Sequence, residues 1–213
     1  MQYRSSGMSD LPPVVKNLLI INVIVWITQI FLLKQNNYFL EQYGALYPVD
    51  SGFFKIWQVI SYMFMHASVN QNGGIEFFHI FFNMFTLWMF GKILENFWGS
   101  KRFLQFYILC GIGGAIAHLL TSDNAAVGAS GAIMGLMAGF AYLFPNTELF
   151  LMFIPVPLKA KYIIPGLMAL DLFGGISRTE DGIAHWAHLG GAATGLLLVF
   201  IWNKSKGNRR NFY

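Results

Sequence analysis

The chain has 213 residues, of which 55% are hydrophobic and only 11% charged, with a formal net charge of +4 and a mean hydropathy of +0.50. A soluble domain carries about 25% charged residues, so this chain lacks the polar surface that water requires and reads as an integral membrane protein. A nucleic-acid role for the basic charge is excluded, because the basic residues sit at helix ends and the aromatics lie inside apolar runs.

Residues 1–13 form a short polar tail. A first apolar span over about residues 14–33 reads as a retained span, not a cleaved leader. Residues 34–75 are too apolar for a plain loop. Phe53, Phe54, Ile56, Trp57, Ile60 and Met63 predict a segment at the membrane interface, where Trp and amphipathic helices settle. The second span covers about residues 76–97. A basic turn, Gly99-Ser100-Lys101-Arg102, leads to the third span at about 103–120. A polar loop from Thr121 to Asn124 precedes Gly128-Ala129-Ser130-Gly131 and a fourth span over about 130–144. About 15 residues rise only about 22 Å, less than the ~30 Å hydrocarbon core. The fourth helix is therefore expected to begin below the membrane surface. Pro145, Pro155 and Pro157 break the connector over 145–161. A fifth span covers about 162–176, a sixth about 183–202, and a basic tail fills 203–213. The whole chain is expected to be one all-α, polytopic domain with its six-helix core over 14–202.

Basic residues mark the cytoplasmic side of a membrane protein. With the N-terminus inside, Arg4, Lys16, Lys101, Arg102, Lys159, Lys161, Lys204, Lys206, Arg209 and Arg210 are cytoplasmic, against Lys34, Lys55 and Arg178 outside. Both termini are thus expected in the cytoplasm. The even-numbered spans then all begin on the outer side, and their polar residues share one depth. His79 and Asn83 lie on one face of span two. Ser130 opens span four, and His185 and His188 open span six. Such side chains are costly in a membrane and mark a functional site or a paired structural one.

These are the parts of a serine hydrolase. A serine hydroxyl needs a base, usually histidine. The tetrahedral intermediate needs donors, which the Ser130 backbone N–H, the Asn83 amide and the His79 N–H can supply. No third, carboxylate member is apparent. Glu95 lies at the inner end, and Asp171 reads as structural, capping or bonding neighbouring backbone. A Ser–His dyad is expected. Plainer readings stand beside it. Ser130 is a good helix cap, on a Gly131, Gly135, Gly139 ridge that lets membrane helices approach. His79 and Asn83 can bond helices together, and His188 can be a satisfied core histidine. His66 can line the site or lie in the interfacial segment, the second being favoured, and His118 is placed toward the loop after span three. No H-E-x-x-H and a single cysteine, Cys110, argue against a metal, and no cofactor is required.

His79-xxx-Asn83, Gly128-Ala129-Ser130-Gly131 and Ala187-His188-Leu189-Gly190-Gly191 occur in that order on spans two, four and six. The combination resembles the rhomboid family of intramembrane serine proteases, from span one to span six. The resemblance implies a six-transmembrane-helix bundle with a membrane-embedded first loop, in the lipid bilayer of a bacterial inner membrane. It implies cleavage of transmembrane segments of other membrane proteins. Ser130 would be the nucleophile and His188 the general base, with His79, Asn83 and the Ser130 backbone as the oxyanion hole. Glu95 would be a structural acid, residues 174–182 a flexible cap, and span five a lateral gate. Two positions depart from the pattern. Trp57-Gln58 stands where the family often has Trp-Arg, so an arginine anchor of the first loop is missing. Met134 stands where an aromatic commonly meets the histidine ring. Two other readings compete. One is a catalytically inactive rhomboid-like protein that binds or escorts membrane clients, which loss of Ser130 or His188 would favour. The other is a small transporter, which would carry mid-membrane charges on several spans, where only Asp171 qualifies.

Overall fold

The computed structural model describes residues 11–69, 74–151, 154–177 and 183–206. Helix α1 (Pro13–Leu33) starts on proline, which suits a first helical turn because its missing N–H has no intrahelical partner there. The first loop carries two short helices, α2 (Phe39–Gly44) and α3 (Gln58–Ser61), the second running into a 3-10 turn at Tyr62–Phe64. Helix α4 (Phe77–Trp98) is continuous and widens into a π-helical turn at Leu87–Gly91. Gly99, at φ 81°, reverses the chain into α5 (Ser100–Thr121). Helix α6 (Ser130–Leu143) follows, then strands β1 (Glu148–Leu151) and β2 (Ile154–Lys159), then α7 (Ala160–Ser177) and α8 (His185–Lys206).

The six long helices fall on the six expected spans, with ends shifted by a few residues. The connector adds what the prolines concealed, an antiparallel ribbon that pairs Glu148 with Lys159 and Leu149 with Leu158. Both strands of a two-stranded ribbon are edges, so Pro155 and Pro157 are tolerated in β2. The expected cap over 174–182 lies outside the described residues from 178 onward, as do the tail residues 1–10 and 207–213.

Helix α6 is the centre of the bundle. Every residue from Gly131 to Phe140 is buried, and α4, α5, α7 and α8 pack around it. The outer helices instead turn large apolar side chains outward: Ile24, Ile27 and Phe31 on α1, Phe77 and Phe78 on α4, Leu197 and Phe200 on α8. Helices α1, α4, α5 and α8 are each long and apolar enough to cross a bilayer. With 14 residues, α6 rises only about 21 Å, less than the ~30 Å hydrocarbon core. The fold is a polytopic helical membrane bundle.

Three buried polar side chains fix its outer parts. Glu95, 2% exposed, sits at the end of α4 and caps α1 from outside. Its Oε1 accepts Val14 N–H at 3.0 Å and the Ser100 hydroxyl at 2.7 Å, and its Oε2 accepts Val15 N–H at 2.7 Å. The carboxylate thus satisfies orphan donors of α1 and meets the positive end of its dipole. Gln29 of α1 clamps the first loop by accepting His66 N–H at 3.1 Å and donating to His66 O at 3.0 Å. Gln58, fully buried, ties the loop to itself. Its Oε1 accepts Lys55 N–H at 3.1 Å and Tyr47 N–H at 3.4 Å, and its Nε2 donates to Phe53 O at 3.1 Å and Gln42 O at 3.4 Å. The loop is therefore anchored without an arginine, by a side chain that both donates and accepts.

Two stability predictions follow from these contacts. Glu95→Ala strands buried N–H groups and should cost about 3 kcal/mol in denaturant unfolding from detergent micelles; an unchanged midpoint would show that α1 is held otherwise. Gln58→Arg supplies donors but no acceptor, so it should open the first loop to limited proteolysis despite matching the family's usual residue. Wild-type resistance of that variant would refute the anchoring role.

Candidate active site

Two first-loop segments hold the approach to α6. Leu46 and Ala126 exchange both backbone hydrogen bonds at 2.9 Å, and Gly128 N–H donates to Tyr62 O at 2.9 Å. The Tyr62 hydroxyl reaches across to α5 and donates to Gly111 O at 2.7 Å. Gly128 itself sits at φ 130°, a conformation that needs glycine. Ala129 occupies the cap position with no side-chain cap bond, and Ser130 is the first helical residue. The Ser130 hydroxyl therefore does not cap α6, which sets aside the capping reading of this serine. It stands half-buried at the mouth of the central helix.

Glycines bring α8 against that mouth. A Cβ on Gly191 would land on the Gly131 carbonyl, and one on Gly195 would lie 2.5 Å from Gly135 O. A Cβ on Gly114 of α5 would stand 2.8 Å from Ala187 O, and one on Gly190 2.7 Å from Gly113 O. Backbone thus meets backbone along α5, α6 and α8, as small residues allow between membrane helices. This packing carries His188, one residue after Ala187, to the level of Ser130.

His79 comes from the start of α4. Its Nδ1 accepts Ala67 N–H at 3.3 Å, which leaves the ring proton on Nε2. That nitrogen faces the space a side chain at 128 would fill. A Cβ on Gly128 would lie 3.0 Å from His79 Nε2 and 3.5 Å from Ser130 Oγ. Glycine thus keeps open a small gap between a hydroxyl and an N–H donor. Asn83, 6% exposed, donates one N–H to His79 O at 2.9 Å, and its amide nitrogen carries a second. His66, in the first loop, lies fully buried with its ring 5.3 Å from that of His79. Burial, with His79 second, pulls its pKa down to about 3, so the ring is neutral. His118 faces the loop, as expected, with Nε2 2.8 Å from Asn124 O.

The structure corrects the placing of Asp171. Among the described residues its carboxylate bonds no backbone. Its Oδ1 lies 2.9 Å from His188 Nδ1 and 2.8 Å from His185 Nδ1. A carboxylate thus lies beside His188, where none was apparent in the sequence. The sequence carries part of the signal, since an acid inside an apolar span needs a partner, but spacing within the span does not name that partner. The closest approach that is missing is between the two principal candidates. Among the described residues no hydrogen bond joins Ser130 Oγ to His188, a looseness common in unliganded sites.

A helical membrane bundle with its polar side chains gathered at one mouth of its central helix is the class that fold and site define. Residues 54–205 match the Rhomboid domain family model, and the chain belongs to the rhomboid family. It is 32% identical over 142 residues to Rhomboid protein 1, mitochondrial, of Saccharomyces cerevisiae, covering 63% of this chain and 41% of that protein. It is 30% identical over 198 residues to Rhomboid-like protease 3 of Toxoplasma gondii, covering 85% and 69%. It is 32% identical over 157 residues to the putative rhomboid protease YdcA of Bacillus subtilis, covering 72% and 70%. The chain thus spans less than half of the yeast relative, and only 34% of RHOMBOID-like protein 4 of Arabidopsis thaliana. Relatives that are named as proteases make this a protease family.

The glycine packing has a measurable consequence. Gly191→Ala must push α8 off Gly131, and should cost about 3 kcal/mol in unfolding from micelles. Gly166→Ala on α7, with nothing within 4 Å of its added carbon, should change stability by less than about 1 kcal/mol. Equal effects of the two would refute the close approach.

Proposed function

We propose that this protein is an intramembrane serine endopeptidase that cleaves transmembrane segments of other membrane proteins. One observation carries the reading: the uncapped Ser130 hydroxyl and the His79 Nε2–H border the same gap, kept open by Gly128. Ser130 Oγ would attack the scissile carbonyl carbon as its proton passes to His188 Nε2. The carbonyl electron pair moves to oxygen, and the Ser130 backbone N–H, His79 Nε2–H and the Asn83 amide stabilise that oxyanion. As the tetrahedral species collapses, the C–N bond breaks and His188 returns the proton to the leaving amine. Water then attacks the acyl-enzyme with the same base, freeing the acid product and Ser130.

The half-buried placement of Ser130, His79 and His188 favours water entry at that end of α6. A peptide bond must leave its helix to be attacked, so suitable substrates carry small or helix-breaking residues near the outer face. The basic-residue bias favours cytoplasmic termini and a site in the outer leaflet of a bacterial inner membrane.

The test is cleavage of a model transmembrane substrate in proteoliposomes. Ser130→Ala and His188→Ala should each lower kcat by about 10³-fold or more. A fluorophosphonate should label the folded wild type and not Ser130→Ala. Equal cleavage by wild type and Ser130→Ala would end the proposal.

A further inference from the structure

Asp171 is the acid that this two-residue mechanism leaves unused. It lies within α7, whose sequence around it is apolar, and it bridges two imidazoles of α8 through one oxygen. The side chains are only 14% exposed for Asp171, 16% for His188 and 10% for His185. This is a sheltered contact, not a surface ion pair. An ionised carboxylate can only accept, so both histidines present Nδ1–H to it. With its Nδ1 proton committed, His188 holds its lone pair on Nε2.

We propose that Asp171, on α7, is a positioning residue for His188 of α8, the base that serves Ser130 of α6. The proposal rests on the reading of Ser130 and His188 given above. Asp171 fixes the tautomer in which Nε2 can take the Ser130 proton, and it fixes the plane of the ring. When that proton arrives, Asp171 keeps its charge and lies beside the imidazolium; no proton moves to the carboxylate. His185 occupies the other acceptor direction of the same oxygen and keeps the carboxylate turned toward α8. Gly174, one turn on from Asp171 and on the same face, admits the His185 ring. A Cβ there would lie 2.5 Å from His185 Cε1. The α7–α8 packing is therefore shaped to hold this bridge. His79 is the other titratable group that faces His188, and its Nδ1 is already bonded to Ala67 N–H, so it does not compete for His188 Nδ1.

The experiment compares wild type, Asp171→Asn, Asp171→Glu and Ser130→Ala on one transmembrane substrate in proteoliposomes, with histidine 15N shifts measured on the wild type. Asp171→Asn should lower kcat by about 10²-fold and leave KM within about twofold. Asp171→Glu should recover part of the rate. In the wild type at neutral pH, the His188 shifts should show protonated Nδ1 and bare Nε2. A wild-type kcat for Asp171→Asn overturns the proposal, and so does a fall that appears in KM alone. If Asp171→Asn does not fold, the wild-type shifts decide, and a His188 with its proton on Nε2 overturns it. Should Ser130→Ala cleave as fast as wild type, the protease reading itself has failed. Should Ser130→Ala be inactive while Asp171→Asn runs at the wild-type rate, only the role of Asp171 has failed.

Discussion

Gly131 and Gly191 touch through backbone, and that contact sets the geometry of everything near Ser130. A carbonyl of α6 occupies the place where a side chain of α8 would stand. One turn further along, Gly195 repeats the arrangement against Gly135. In a bilayer no hydrophobic force drives helices together, so close van der Waals approach must do it. The approach also sets function. His188 is three residues from Gly191 and Ser130 is one from Gly131, so the distance between the two helices becomes the distance between base and hydroxyl. The ridge that looked like a packing motif and the residues that looked like chemistry are one feature.

The same reasoning explains why so many buried polar side chains serve the backbone. Gln29, Gln58 and Glu95 bond mainly or wholly to main-chain N–H and C=O groups. The first loop and the turn before α6 carry buried non-helical backbone, where unpaired groups are costly. Tyr62 supplies both of its polar ends to this task, its carbonyl to Gly128 and its hydroxyl to Gly111. The loop that precedes Ser130 is thereby held from three directions, and Gly128 can keep its φ of 130°. The rigidity around the candidate nucleophile comes from these loops as much as from the helices.

Apolar periodicity and the placement of Pro and Gly made the six helices legible in the sequence, because a membrane helix has to be continuous and long. The shortness of α6 was legible too, in the 14 residues between Ser130 and Leu143. Partnerships across elements were not. Asp171 was read against its own span, and the spacing within α7 says nothing of the face that α8 presents. Gln29 lay unnoticed inside an apolar run, although a lone amide there always needs a partner. Gln58 was read as the loss of an arginine. Its neighbours show that loop carbonyls and loop N–H groups are both bonded, which an amide can do and a guanidinium cannot. The segment of His66 does not name its neighbour either: the loop brings its ring edge-on to His79. The ribbon of β1 and β2 escaped because Pro155 and Pro157 veto a helix and also disguise an edge strand.

The attachment of α7 differs in kind from the seam of α5, α6 and α8. Pro165 interrupts its hydrogen-bond ladder, and nothing stands within 4 Å of a Cβ on Gly166. At the other end Asp171 engages His185 and His188 through polar contacts, and Gly174 and Gly175 admit the rings of His185 and Trp186. Polar bonds of this sort are directional and break over a short displacement, whereas the glycine seam resists separation along its whole length. A force that moves α7 away from α8 therefore acts first on the carboxylate that holds His188, before it disturbs Ser130 or the gap beside His79. By linkage the relation runs both ways: whatever stabilises the charged, Asp171-paired form of His188 also favours α7 packed against α8. The position of one helix and the readiness of the candidate base are thus two aspects of the same bond.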